Sequence, residues 1–242
     1  MTIEVCAYSL ESCINAQAGG AARIELCGGL GEGGTTPSAG LIEVVRQHID
    51  IDVYVMIRPR GGDFVYDFFE EEIMRKDIDV AKKLGANGVV LGVLTADGQV
   101  DVARTKSLVE YASPMKVTFH RAFDLTPDPH KALKAIIETG AERILTSGQM
   151  PSAIEGLDLL SQLANESNGS IEIMAGGGVN ANNAAELAAA GVHSLHLTAK
   201  AFRPGRQKYF PENISMAGQI PDERSVLYSD LALIEEIVQV VS

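Results

Sequence analysis

The sequence predicts an α/β fold, a closed (β/α)8 TIM barrel formed by a single domain over residues 1–242. Three observations carry this reading. Strand-like and helix-like stretches alternate eight times, which is what a barrel of about 250 residues requires. Four of the strand-like runs follow the same joint, Gly20-Ala21, Gly85-Ala86, Gly140-Ala141 and Gly191-Val192, where an Ala- or Lys-rich stretch ends at a glycine able to take the left-handed helix cap. These joints precede only the even runs, while the odd ones follow polar turns such as Asp50-Ile51-Asp52, Ser113-Pro114 and Asn168-Gly169. The alternation is a faint βαβα repeat, and it favours closure over an open sheet.

Taken in order, the runs also assign faces, because side chains alternate along a strand. In TIEVCA, Ile3, Val5 and Ala7 share one face and Glu4 and Cys6 the other; in RIELC, Ile24 and Leu26 oppose Arg23, Glu25 and Cys27. If the apolar set packs on helices, the polar set turns inward. Cys13 falls on the first helix and is expected to pack there. The glycine-rich loop 28–37 is expected to end in a helix start, with Thr36 as N-cap and Pro37 at the first helical position. DIDVYVMI sends Met56 and Arg58 inward and continues into Pro59-Arg60-Gly61-Gly62. After GVVLG, MKVTFHRAF points Thr118 and His120 inward and leads into Arg121 and Asp124. RILTS precedes IEIMAGGG, which contributes Glu172 and Met174, and SLHLT contributes His196. Residues 201–229, with Pro204, Pro211 and Pro221, show no clear period before the last helix, so an irregular lid, binding loop or oligomer contact is expected.

Composition narrows the partners. At 46% hydrophobic the chain can bury a large core, yet no stretch approaches the roughly 18 to 20 unbroken apolar residues of a membrane span. A net charge of -12 disfavours both nucleic acid and an anionic membrane face. Three cysteines suit a reducing compartment, and MTIEVCAYSLES reads as a first strand instead of a secretory signal.

An interior with this many ionisable groups departs from the Val, Ile and Leu filling of most barrels. Arg23 with Glu4 or Glu25, and Arg58 with a neighbouring Glu, can neutralise one another as a structural network. Chemistry is expected at the carboxyl ends of the strands. There, Gly176, Gly177 and Gly178 lead into Asn180-Ala181-Asn182-Asn183, and with Arg58 and Arg121 they form a candidate anion site, opposite Thr198-Ala199-Lys200. Cys6 and Cys27, inward on adjacent strands about 4.8 Å apart, can share one soft ion. Cu(I) is the natural candidate, with Met56 or Met174 as weak donors; the competing reading makes each thiol a small buried hydrophobe.

The segments VCAYSLESCINAQAGGAARIELCGGLGEGGTTPSAG, MIRPRGGDFVY, VTFHRAFD, RILTSG and AGGGV together resemble the CutC family of copper homeostasis proteins, almost end to end. The resemblance implies a TIM barrel, a cytoplasmic location and a role in copper tolerance or trafficking. It places the family's proposed Cu(I) cysteines on Cys6 and Cys27, and it assigns no metal to Cys13.

Two functions therefore compete. The first is Cu(I) binding. The second is an isomerase- or hydrolase-type enzyme for a small phosphorylated or carboxylated substrate, with His120 as general acid or base beside Glu25 or Glu172 and Arg58 holding the anion. Schiff-base chemistry is disfavoured, since Lys116 opens its strand at the wrong end. A homo-oligomer, a dimer first, is expected of either.

Overall fold

The computed structural model describes residues 1–211 and 223–242. Eight parallel strands close on themselves in sequence order: β1 (Thr2–Ala7), β2 (Arg23–Leu26), β3 (Asp52–Met56), β4 (Gly88–Leu91), β5 (Lys116–Phe119), β6 (Arg143–Thr146), β7 (Glu172–Gly176) and β8 (Ser194–Leu197), with β8 pairing back onto β1. Around them stand α1 (Leu10–Ala18), α2 (Ala39–His48), α3 (Phe68–Lys83), α4 (Val102–Ala112), α5 (Pro129–Thr139), α6 (Leu157–Ser167), α7 (Ala184–Ala189) and α8 (Leu231–Val241). The barrel and its single-domain form are as the alternation predicted.

The four joints act as the sequence suggested. Gly20, Gly85, Gly140 and Gly191 have φ of 89°, 83°, 83° and 89°, a region in which a Cβ would be strained, so each helix stops there and the chain enters the next strand at once. Helix starts are fixed by side chains that accept a backbone N–H: Ser9 for α1, Asp101 for α4, Asp128 ahead of Pro129 for α5, and a reciprocal Asp67–Glu70 capping box for α3. One expected start moves. Ser38, not Thr36, caps α2, because the Thr36 hydroxyl accepts from the Arg58 N–H at 3.0 Å and so joins the loops after β2 and β3.

Strand parity divides the buried residues into two sets. Ile3, Val5, Ala7, Ile24 and Leu26 pack outward on helices in one continuous core, whereas Cys6, Cys27, Tyr54, Met56 and Val90 form a separate cluster inside the barrel. The segment 201–229 is a correction. Its ends are not irregular: β9 (Lys200–Pro204) and β10 (Ser225–Ser229) pair antiparallel, and residues 212–222 lie outside the described residues. The ribbon docks on α1, where the Ser229 N–H donates to Ser12 at 3.0 Å, Asn15 donates to the Ser229 carbonyl at 2.8 Å, and Arg203 pairs with Glu11 at 2.8 Å. Proline-rich flanks hid this pairing because Pro204 ends β9 at a position that needs no ladder donor.

Candidate functional site

The lower half of the barrel interior is an ion-pair network. Arg23 from β2 hydrogen-bonds Glu4 from β1, its register neighbour, and reaches Glu172 and the Met174 sulfur at 3.6 Å each. Arg143 from β6 pairs with Glu172 at 2.7 Å and Glu142 at 2.9 Å and donates to Thr118 at 2.9 Å. Tyr54 fills the space between the two arginines, each guanidinium lying 5.2 Å from its ring centroid, and its hydroxyl donates to Glu142 at 3.1 Å. Tyr54 fits because Gly88, beside it on β4, has no Cβ: one would lie 2.5 Å from the ring. Of the pairings expected for Arg23 the structure selects Glu4; Glu25 lies one layer higher.

That higher layer holds the sulfur chemistry. The Cys6 and Cys27 thiols are 3.8 Å apart, although the two residues are not at matching heights on their strands. Cys6 is level with Glu25, and Cys27 lies two residues further along, just beyond β2; tilted neighbouring strands still bring the sulfurs together. Around Cys6, donor atoms of Glu25 and His196 complete a group within 4.8 Å of one another. His196 shares its Nδ1 with Glu4 at 2.8 Å and faces Glu25 through Nε2 at 3.7 Å, so it links the two layers.

The hydrogen bond with Cys27, helped by His196, holds the Cys6 thiol well below the usual cysteine value against the effect of burial. That same bond, together with burial, holds Cys27 well above it. Burial first, then the negative charge at Cys6, push Glu25 well above the carboxylate range. Burial would lower His196, but the acidic groups around it, Glu25, Cys6 and Glu4, raise it. Burial would likewise raise Glu4, and His196 with Arg23 outweighs it and brings Glu4 down to about 2. The result is one thiolate-like sulfur backed by a thiol, beside an imidazolium.

Above this layer a cavity of about 230 Å³ opens at the carboxyl end of the strands, reached by Cys6, Glu25, Met56, His120 and His196 and by the loop of Gly177 and Gly178. Cys27 does not line it. Gly34 lies over Cys27, so close that a Cβ there would stand 3.3 Å from the sulfur. Arg58 fastens that loop: its guanidinium donates to the carbonyls of Glu32 at 2.6 Å, Gly34 at 2.9 Å and Gly62 at 2.9 Å. The carboxylate partner expected for Arg58 is therefore replaced by backbone, and only its Nε is left without a partner. Arg121 reaches the cavity with Nε on Asp124 and Nη2 on Ser147, each at 2.7 Å. Gly176 is a strand residue whose missing Cβ makes room for Leu145 and His196, while Gly177 and Gly178 turn with φ of 108° and 73°.

The CutC family model matches residues 1–201. The chain belongs to the CutC family. A family protein CutC from Chromobacterium violaceum is 49% identical over 222 residues, 91% of this chain and 90% of that protein. A mouse protein named copper homeostasis protein cutC homolog is 45% identical over 237 residues, 97% and 87% of the two chains. Among solved structures, CutC from Streptococcus agalactiae superposes with a TM-score of 0.78 at 37% identity, covering 82% of this chain and 98% of that one.

In this CutC chain the structure brings Cys6, Cys27, Glu25 and His120 into one region, with Gly177, Gly178 and Arg121 on its rim. Sequence reasoning counted Glu25 and His196 as inward groups without joining them to the thiols. The missing signal is closure: β8 returns beside β1 with Glu4 opposite His196, a contact between residues 192 positions apart. Tyr54 and Arg143 were also overlooked: parity from Met56 on the same strand turns Tyr54 inward, whereas Arg143 is placed inward by its register opposite Thr118 on the neighbouring strand. Among the described residues, no helix is long and apolar enough to cross a membrane.

Proposed function

We propose that this chain binds Cu(I) through Cys6 and Cys27 and serves copper homeostasis in the cytoplasm. The observation that carries the reading is the pair of sulfurs 3.8 Å apart beside a cavity. Two Cu(I)–thiolate bonds of about 2.2 to 2.3 Å span up to about 4.6 Å, so one ion fits between them with little movement. The donor chemistry is soft where a soft ion needs it. Cys6 is already thiolate-like, Cys27 releases its proton on binding, and His196 supplies a further nitrogen once it gives up its own. The names carried by the mouse and human relatives agree with this role. A reducing compartment keeps both thiols free, which is the support for a cytoplasmic location. Exposed Phe68 and Phe69 on α3 support a homodimer, checked by light scattering.

The test is a competition titration of reduced protein with a chromophoric Cu(I) chelator. Tight, one-to-one binding that disappears in Cys6→Ser and in Cys27→Ser, and persists in Cys13→Ser, is expected. Equal affinity in all four proteins would refute the reading.

A further inference from the structure

Copper occupies the floor of the cavity in the reading above and leaves its upper part unexplained. His120 accepts the Ala122 N–H on Nδ1 at 3.3 Å, so its proton sits on Nε2, and that donor has no partner although the ring is buried. Burial, then Arg58, lower the pKa of the ring to about 3 and so hold it neutral. Phe64 and Phe119 fix its plane at centroid distances of 4.7 and 6.0 Å, and Gly92 has no Cβ because one would lie 2.7 Å from the ring. The buried Oε1 of Glu25, a second residue of the cavity wall, is equally without a partner. Each orphaned group carries a desolvation cost that a hydrogen-bonding ligand in the cavity would offset. His120 stands outside the Cys6, Glu25 and His196 donor group, so a metal there does not satisfy it.

The rim supplies complementary groups. The backbone N–H groups of Gly177, Gly178 and Val179, all on the cavity wall, donate to no described residue. Arg121 keeps Nη1 uncommitted, 3.5 Å from where a Gly177 Cβ would stand. Three amides and a guanidinium N–H suit the several oxygens of a tetrahedral anion better than the two of a carboxylate. The position after β7, facing Thr198 after β8, is also where barrels of this architecture hold phosphate.

We propose that the cavity binds a phosphate monoester of a small hydroxylated carbon skeleton, its phosphate on Gly177, Gly178, Val179 and Arg121 and an oxygen of its organic part between His120 and Glu25. A cavity of about 230 Å³ lies below the range of about 300 to 1,000 Å³ typical of drug-sized ligands, so the skeleton has roughly three to six carbons. The phosphate end does not depend on copper, because neither His120 nor the glycine rim is a metal donor, whereas Glu25 belongs to both the ligand site and the metal donor group.

Isothermal titration of the full chain with glycerol 3-phosphate, ribose 5-phosphate and glucose 6-phosphate tests it, with inorganic phosphate, glycerol and malate alongside. At least one ester should bind with a dissociation constant between about 1 µM and 1 mM, inorganic phosphate more weakly, and glycerol not at all. Arg121→Gln should weaken the ester and inorganic phosphate alike by about tenfold or more, and His120→Gln the ester alone. Amide shifts of Gly177 and Gly178 in wild-type protein give a second readout that does not depend on the folding of the His120 variant. Cys27→Ser, at the thiol that does not line the cavity, should lose copper and keep the ester, so the two readings fail separately. No saturable ester binding by folded wild-type protein, unchanged binding in Arg121→Gln, or equal affinity for malate would overturn the proposal.

Discussion

The two layers of the barrel interior use the same kinds of residue to opposite ends. In the lower layer Glu4 and Glu172 are held by arginines, Arg23 and Arg143 stack on Tyr54, and the pairing is nearly complete. In the upper layer Glu25 and His120 each keep a buried polar atom without a partner, and Cys6 is held thiolate-like next to a thiol. A closed network neutralises its own charges and therefore fixes a shape. An open one leaves part of its desolvation cost uncompensated, which a ligand bound there would offset. On the two proposals above, the lower layer is scaffold and the upper layer receives.

Substitutions that treat the layers alike should separate them. The largest effect is expected for copper. Cys6→Ser or Cys27→Ser should weaken Cu(I) binding by about a thousandfold or more in chelator competition, since an alcohol is a poor ligand for a soft ion. Retained affinity would place copper elsewhere and dissolve the distinction between the layers.

Next in size is a loss of stability confined below. Arg23→Met leaves Glu4 buried with half its compensation gone, and urea unfolding should lose about 3 to 5 kcal/mol. Adding Glu4→Gln should recover part of this, because the uncompensated charge is then removed.

A pH series sharpens the comparison further. His120 is held at about 3 when folded, below the ordinary value of 6.5, so the unfolded chain binds the proton first. Its contribution is complete above about 6.5 and is lost as pH falls towards 3, with a slope of up to about 1.4 kcal/mol per pH unit. His120→Gln should flatten the unfolding free energy between pH 6.5 and 4.5, and an unchanged slope would mean that the ring is not held neutral.

The smallest change is expected for Glu25→Gln. Burial keeps this carboxyl well above its usual range and one oxygen has no partner, so an isosteric amide should shift stability by less than about 1 kcal/mol. A loss as large as that of Arg23→Met would show that Glu25 belongs to the scaffold after all.

Local rules made the barrel legible. Gly20, Gly85, Gly140 and Gly191 announce themselves because only glycine takes that backbone cheaply, and alternation alone turns Cys6, Glu25, Cys27 and His120 inward. The antiparallel ribbon of β9 and β10 was not legible, because two short strands separated by some twenty residues leave no joint or period to read.

What the sequence determined by itself, then, is the fold, the inward set of side chains and the resemblance to a family, all of which depend on residue type and near-neighbour spacing. Tertiary structure alone decided which inward groups meet. That Arg23 takes Glu4 and leaves Glu25 open, that Arg58 is consumed by three carbonyls, and that His196 stands beside Cys6 all follow from strand stagger and from the closure of β8 on β1. Stagger and closure are set by the packing of the whole barrel, and no short stretch of chain encodes them.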